Sequence, residues 1–207
     1  MKPTQRFGLS VLLIVAIALP GFAYEYPLSS TSIRDAYILG NRKDEHTAQF
    51  FAQYTHHFPI AKTGPYVDEI GLDTPFSQVV ERSGTAANYH TQEAEEEFLD
   101  KPMIFRVHVQ IFEAPVFSPN SVFAYVPDYW KDFKIQFMQD KEIPSKSVHA
   151  SLLYPPTDIG DGITLPIGVR VEFEYDAAQI DDAPATVKVT TPDGQEIEST
   201  FNLDRLR

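Results

Sequence analysis

The sequence predicts an α+β fold: mainly helical residues 24–102 packed on a C-terminal antiparallel β-sandwich over residues 103–207. Three observations carry this. Helix caps followed by apolar residues three and four apart recur before residue 102. Strict apolar–polar alternation recurs after it. Near the end, Pro192-Asp193-Gly194 separates two alternating segments, and a glycine there can take the positive φ that a tight hairpin demands.

The chain opens with a different kind of segment. Lys2 and Arg6 give a positive start, and Phe7 to Leu19 is uncharged. Pro20 and Gly21 then break any helix, and Gly21 and Ala23 place small residues at the −3 and −1 positions of a cleavage site. This is the three-part pattern of a secretory leader, residues 1–23, cut between Ala23 and Tyr24. The apolar run is too short for a span, which needs about 20 residues. No later stretch is long and apolar enough to cross a bilayer. The expected location is therefore periplasmic or secreted.

The helical part begins at Ser32, where Ser32 and Asp35 form a capping-box-like pair. Gly40 either bends one helix or separates two, and Asn41 can cap a continuation. From Arg42 to Phe58, the residues Thr47, Ala48, Phe51, Tyr54 and Phe58 form an apolar stripe that Pro59 ends. Tyr66 to Leu72 reads as a short strand. Thr74-Pro75 reads as an N-cap followed by proline at the first helical position, with Gly84 beyond the helix end. Thr91 caps a last helix running to about Asp100, and Pro102 closes it.

In the second part, Met103, Phe105, Val107, Val109 and Ile111 point one way and Ile104, Arg106, His108, Gln110 and Phe112 the other. Phe133 to Phe137, Val148 to Tyr154, Ile167 to Tyr175, Thr186 to Thr191 and Gln195 to Leu203 repeat the pattern. Strands at this spacing suggest a sandwich of immunoglobulin-like pattern, without the cysteine pair of true immunoglobulin domains.

The segments from Ser32 to Gly40, Thr63 to Val67 and Thr74 to Val80 together resemble an uncharacterised family of exported bacterial proteins. That resemblance implies export. It carries no activity, cofactor or site residue onto any position.

Composition narrows the chemistry. The formal net charge is −12, and losing Lys2 and Arg6 with the leader makes it −14. That excludes nucleic acid as an expected partner, because phosphate backbones attract basic patches. The absence of cysteine excludes disulfides, thiolate metal sites and cysteine nucleophiles. A 43% apolar content with 15 Phe and 10 Tyr suits an unstapled hydrophobic core.

No HExxH, GxSxG, GxGxxG or GxxxxGK[ST] motif occurs. His46, His56, His57, His90, His108 and His149 lack metal-ligand spacing, though His108 and His149 both fall on predicted strands and could meet across a sheet. Glu93, Glu95, Glu96 and Glu97 read as a solvated face near a helix N-terminus. Asp158 and Asp161 read as turn residues, since the bidentate Glu of a calcium loop is missing. Phe117, Phe123, Tyr125, Tyr129 and Trp130 crowd a proline-punctuated segment, where exposed aromatics could contact sugar rings or partner side chains.

The expected function is thus an exported, non-enzymatic binding or structural module. Tyr125, Tyr129 and Trp130 are the candidate ligand-binding residues, and an unknown protein or carbohydrate is the partner. No catalytic residue, metal or cofactor is assigned. The alternative is an exported hydrolase whose residues converge only in three dimensions, with His108 or His149 as base.

Overall fold

The computed structural model describes residues 23–62, 64–113, 128–153 and 168–207. The predicted leader up to residue 22 lies outside the described residues, as do Phe117, Phe123, Tyr125, Asp158 and Asp161. The fold is mixed α+β, and its sheets are antiparallel and open. Among the described residues, no helix is long and apolar enough to cross a membrane.

Five strands form the larger sheet: β1 (Thr55–His57), β2 (Pro65–Asp73), β3 (Ile104–Glu113), β6 (Gly168–Asp176) and β5 (Ser147–Leu152), in the order β1-β2-β3-β6-β5. The smaller sheet has β4 (Lys134–Met138), β7 (Ala185–Thr190) and β8 (Glu196–Phe201), in the order β4-β7-β8. The alternation expected of β3 is realised. Phe105, Val107, Val109 and Ile111 are fully buried, while Arg106, His108 and Gln110 point to the opposite face. The buried face of the larger sheet meets the smaller one through aromatic rings. Phe137 of β4 stacks on Phe105 at 5.3 Å between centroids and lies 5.0 Å from Tyr175 of β6. Between β7 and β8, Gly194 takes φ +86°, as the turn chemistry requires.

Two strands of the larger sheet come from the segment read as mainly helical. β2 is a full central partner of β3, paired from Pro65 with Glu113 to Asp73 with Arg106. β1 corrects the expected helix from Arg42 to Phe58. The helix there, α2, spans only Glu45–Ala52. Thr55, His56 and His57 instead pair with Gly71, Ile70 and Glu69 of β2, and the Phe58 amide donates to Asp68 O at 2.8 Å. Ladder bonds to a distant strand outweigh the local helical spacing.

The first helix, α1 (Ser30–Arg42), also starts earlier than expected. Ser29 is its N-cap and accepts from the Ser32 amide at 3.2 Å. The Ser32 hydroxyl turns to Glu25 instead of capping. Gly40 neither ends nor splits α1. It lets the helix lie against α3 (Pro75–Thr85): a Cβ at Gly40 would stand 2.1 Å from the Val80 carbonyl oxygen. Lys43 takes φ 49°, and Asp44, not Asn41, caps α2. Thr74 caps α3 with Pro75 next to it, as predicted, while Gly84 falls inside the last turn. The last helix, α4 (Thr91–Phe98), has His90 at its N-cap, whose amide donates to Glu93. One hydrophobic core joins Ile33 and Ala36 of α1, Val79 and Val80 of α3, Phe105 of β3 and Val187 of β7.

Candidate functional site

A groove of about 380 Å³ opens between α1, α2 and the end of the chain. Local sequence makes it. The left-handed Lys43 and the Asp44 cap turn α2 away from α1. α2 has no fully buried residue, so Phe50 and Phe51 on it stay partly open. Opposite, the 3-10 turn Leu203–Arg205 tucks the chain end back onto the core. Leu203 is fully buried, and its carbonyl accepts from the Tyr24 amide at 2.8 Å. The hydroxyls of Tyr54 and Thr74 both donate to the Arg207 carbonyl oxygen at 2.6 Å.

The floor of the groove is aromatic and aliphatic. Phe50 lies 4.8 Å from Tyr54 and 5.7 Å from Phe76, ring to ring, with Leu39 and Leu206 beside them. The rim is charged: Arg42, Arg205, Arg207 and Asp35 line it. Arg207 pairs with Asp35 at 2.9 Å and lies over Phe76, its guanidinium carbon 5.4 Å from the ring centre. Arg42 pairs with Asp44 at 3.0 Å on the surface. Burial pushes the Tyr54 hydroxyl well above its ordinary pKa, so it remains a neutral donor and adds no negative charge.

A second polar constellation lies on the outward face of the larger sheet. Register sets it in rows across the strands. Asp73, Arg106, Glu174 and Ser147 form one; Gly71, His108, Glu172 and His149 the next; Glu69, Gln110, Arg170 and Ser151 the third. His108 is 5% exposed. Its ring lies over Gly71, where a Cβ would come within 2.2 Å of Nε2. Nε2 is 3.2 Å from Glu69 Oε1, and Nδ1 is 3.6 Å from Asp73 Oδ2, beyond hydrogen-bond reach but within ion-pair range. Arg170 reaches the same Asp73 oxygen at 3.6 Å.

These contacts set the protonation states. Burial alone would lower the His108 pKa, but Asp73 and Glu69 outweigh it and raise it above the ordinary value. The hydrogen bond to His108 holds Glu69 below the usual carboxylate range. For Asp73, burial is outweighed by His108, Arg170 and Arg106, so it too is held low. A carboxylate faces each ring nitrogen of His108, which favours its charged form. The pH dependence follows in sign. The two carboxylates stabilise the fold above their ordinary pKa near 4, and that contribution is lost as pH falls through their lowered values. The contribution of His108 is complete below its ordinary 6.5 and is lost as pH rises through its raised value. Urea midpoints measured across a pH series are expected to peak between these limits, and His108→Gln is expected to flatten the alkaline side. An unchanged alkaline side in that variant would contradict the assignment.

The aromatic residues singled out from the sequence are separated by the structure. Tyr125 lies outside the described residues. Tyr129 is turned inward, 6% exposed, and its hydroxyl donates to Ile111 O at 2.8 Å. Trp130 is half-buried, with the Lys131 ammonium 5.7 Å from its ring. It borders a shallow cavity of about 330 Å³ with Asp128, Ser151 and Leu152. His108 and His149 face Glu172 of β6 from opposite sides, so they share a row but are one strand apart. His56 bonds Ser199 and stacks on Phe201 at 4.5 Å. Glu93 is taken by the His90 amide, Glu95 by Arg34, and Glu97 by Arg82 and Tyr89. Among the described residues, no three His, Asp or Glu side chains converge as metal ligands.

Sequence reasoning missed the groove. Tyr54 of the expected apolar stripe lines it, but Tyr54 lies just past α2 (Glu45–Ala52), and Phe50 stood outside that stripe. The arginines that rim it come from residues 42 and 205–207, far apart in the chain. No protein-family model, curated protein or solved structure matches this chain.

Proposed function

We propose that the chain is an exported, non-enzymatic binding module whose ligand site is the groove between α1, α2 and residues 203–207. The observation that carries this reading is the groove's composition: about 380 Å³, an apolar floor, and a few convergent polar groups at the rim. Ligand sites are of this size and kind, commonly about 300–1,000 Å³. Export, to the periplasm or beyond, is supported by the leader pattern of residues 1–23. The resemblance of Ser32 to Gly40, Thr63 to Val67 and Thr74 to Val80 to an uncharacterised family of exported bacterial proteins supports it too. The two sheets, joined through Phe105, Phe137 and Tyr175, are read as an open sandwich of immunoglobulin-like kind that acts as scaffold.

Two considerations favour binding over hydrolysis. A general base needs a free lone pair aimed at substrate, whereas each nitrogen of His108 faces a carboxylate. Ser199, the hydroxyl bonded to His56, is 2% exposed and closed to a substrate. A protein or carbohydrate partner on the Tyr129–Trp130 segment has less support than the groove, because Tyr129 points inward.

The test is a neutral apolar dye, N-phenylnaphthylamine. It is expected to bind the full chain saturably. Leu39→Trp, which fills the groove, is expected to weaken that binding about tenfold, a loss of roughly 1.4 kcal/mol, while the circular dichroism spectrum stays unchanged. Absence of saturable binding, or equal affinity in Leu39→Trp, contradicts the reading.

A further inference from the structure

We propose that the groove selects an amphipathic anion, a carboxylate carried on an aryl or alkyl body. This rests on the groove being a binding site and names the class of ligand it takes. The rim carries three guanidiniums, Arg42, Arg205 and Arg207. Among the described residues, carboxylates hold two of them, Arg42 through Asp44 and Arg207 through Asp35, which leaves Arg205 to meet an anion.

The three guanidiniums are differently committed. Among the described residues, Arg205 has no ion-pair partner, and it is exposed. Arg42 is held by Asp44 on the surface, with the two side chains 46% and 40% exposed. An exposed pair of that kind contributes little, so Arg42 can turn to a ligand at small cost. Arg207 is pinned over Phe76 by Asp35 and fixes the polar end of the groove beside its aromatic floor. Guanidinium forks match the two oxygens of a carboxylate, which favours a carboxylate head over a neutral one. The partly open Phe50 ring and Leu39 then take the apolar body, backed by the buried rings of Tyr54 and Phe76, which lie tilted against Phe50.

The experiment uses three probes that share a body and differ in the head: phenylbutyrate, phenylbutanol and phenylbutylamine, titrated calorimetrically into the full chain. Phenylbutyrate is expected to bind about tenfold more tightly than phenylbutanol, the factor one charge-assisted hydrogen bond supplies. Phenylbutylamine is expected to bind most weakly. Added salt is expected to weaken the acid and narrow its lead over the alcohol. Arg205→Gln and Arg42→Gln, both on the surface, are each expected to narrow that lead about threefold, with the dye-binding signal showing that the groove is intact. Equal affinity for acid and alcohol overturns the anion proposal and leaves the groove reading standing. No binding of any of the three, together with no dye binding, overturns both. Acid selectivity that survives both arginine substitutions overturns the assignment of these side chains as its source.

Discussion

Phe137→Ala is expected to destabilise the fold by about 3–5 kcal/mol, the range for truncating a buried phenylalanine. Phe137 is 1% exposed on β4, an edge strand of the smaller sheet. Its ring lies between Phe105 and Tyr175, centroids 5.3 Å and 5.0 Å away, and so joins the smaller sheet to the central strands of the larger one. Truncation removes apolar contact from all three rings and leaves a cavity that rigid strands cannot close. For a chain of this size each kcal/mol moves the melting temperature by about 2–4 °C, so the expected fall is roughly 6–20 °C. Phe137→Leu, which retains most of the volume, is expected to cost only about 1 kcal/mol. Calorimetric melting of both variants checks this. A loss below about 1 kcal/mol in the alanine variant would mean that the two sheets do not depend on this contact.

Gly40→Ala is expected to destabilise as well, against the usual sign. Inside a helix, replacing glycine by alanine normally stabilises by about 1 kcal/mol. Here the new methyl would stand 2.1 Å from the Val80 carbonyl oxygen and 3.0 Å from the Ser83 Cβ. The first of these neighbours is backbone, so α1 and α3 must separate, and Gly84, near the Gly40 carbonyl, closes the other side. Overpacking of this kind costs about 1–3 kcal/mol, and at so short an approach the upper end applies. The net expected loss is about 2 kcal/mol. Because α1 carries Asp35, Leu39 and Arg42, the same shift is expected to weaken ligand binding in the groove. Urea unfolding and dye titration of the variant read the two effects separately. A stabilised Gly40→Ala would show that α1 and α3 do not approach this closely.

The parts of the fold legible in the sequence are those set by local chemistry. The alternation of β3 from Phe105 to Ile111 marks a sheet with one apolar face, and Phe105, Val107, Val109 and Ile111 are all buried on it, although His108 on the other face is buried too. Thr74-Pro75 fixes the start of α3 because both act on the first helical turn. Gly194 fixes the β7–β8 turn through its own backbone freedom. The parts not legible depend on distant partners. Thr55 to His57 has no periodicity of its own and becomes β1 only because β2 offers a free edge. Ser32 looked like a cap, yet Ser29 sits where the helix begins, and Glu25 draws the Ser32 hydroxyl away.

The polar sites show the same division. His108 stood out in the sequence as a polar residue on an alternating strand. Its partners could not be read there, because Glu69, Gly71 and Asp73 meet it only through the register of β2 with β3. The groove needs residues from 35 to 207 in one place, and its arginines carry no motif. Tyr129 and Trp130 were visible as neighbouring aromatics, but which of them turns inward is decided by the Ile111 carbonyl that Tyr129 reaches.

The most direct measurement is a heteronuclear NMR titration of the full chain with phenylbutyrate. Saturable shifts are expected at Phe50, Tyr54, Phe76 and Arg205, around the groove, with Trp130 and Ser151 unmoved. Shifts centred on Trp130 and Ser151, or changes that never saturate, would contradict the placement of the binding site.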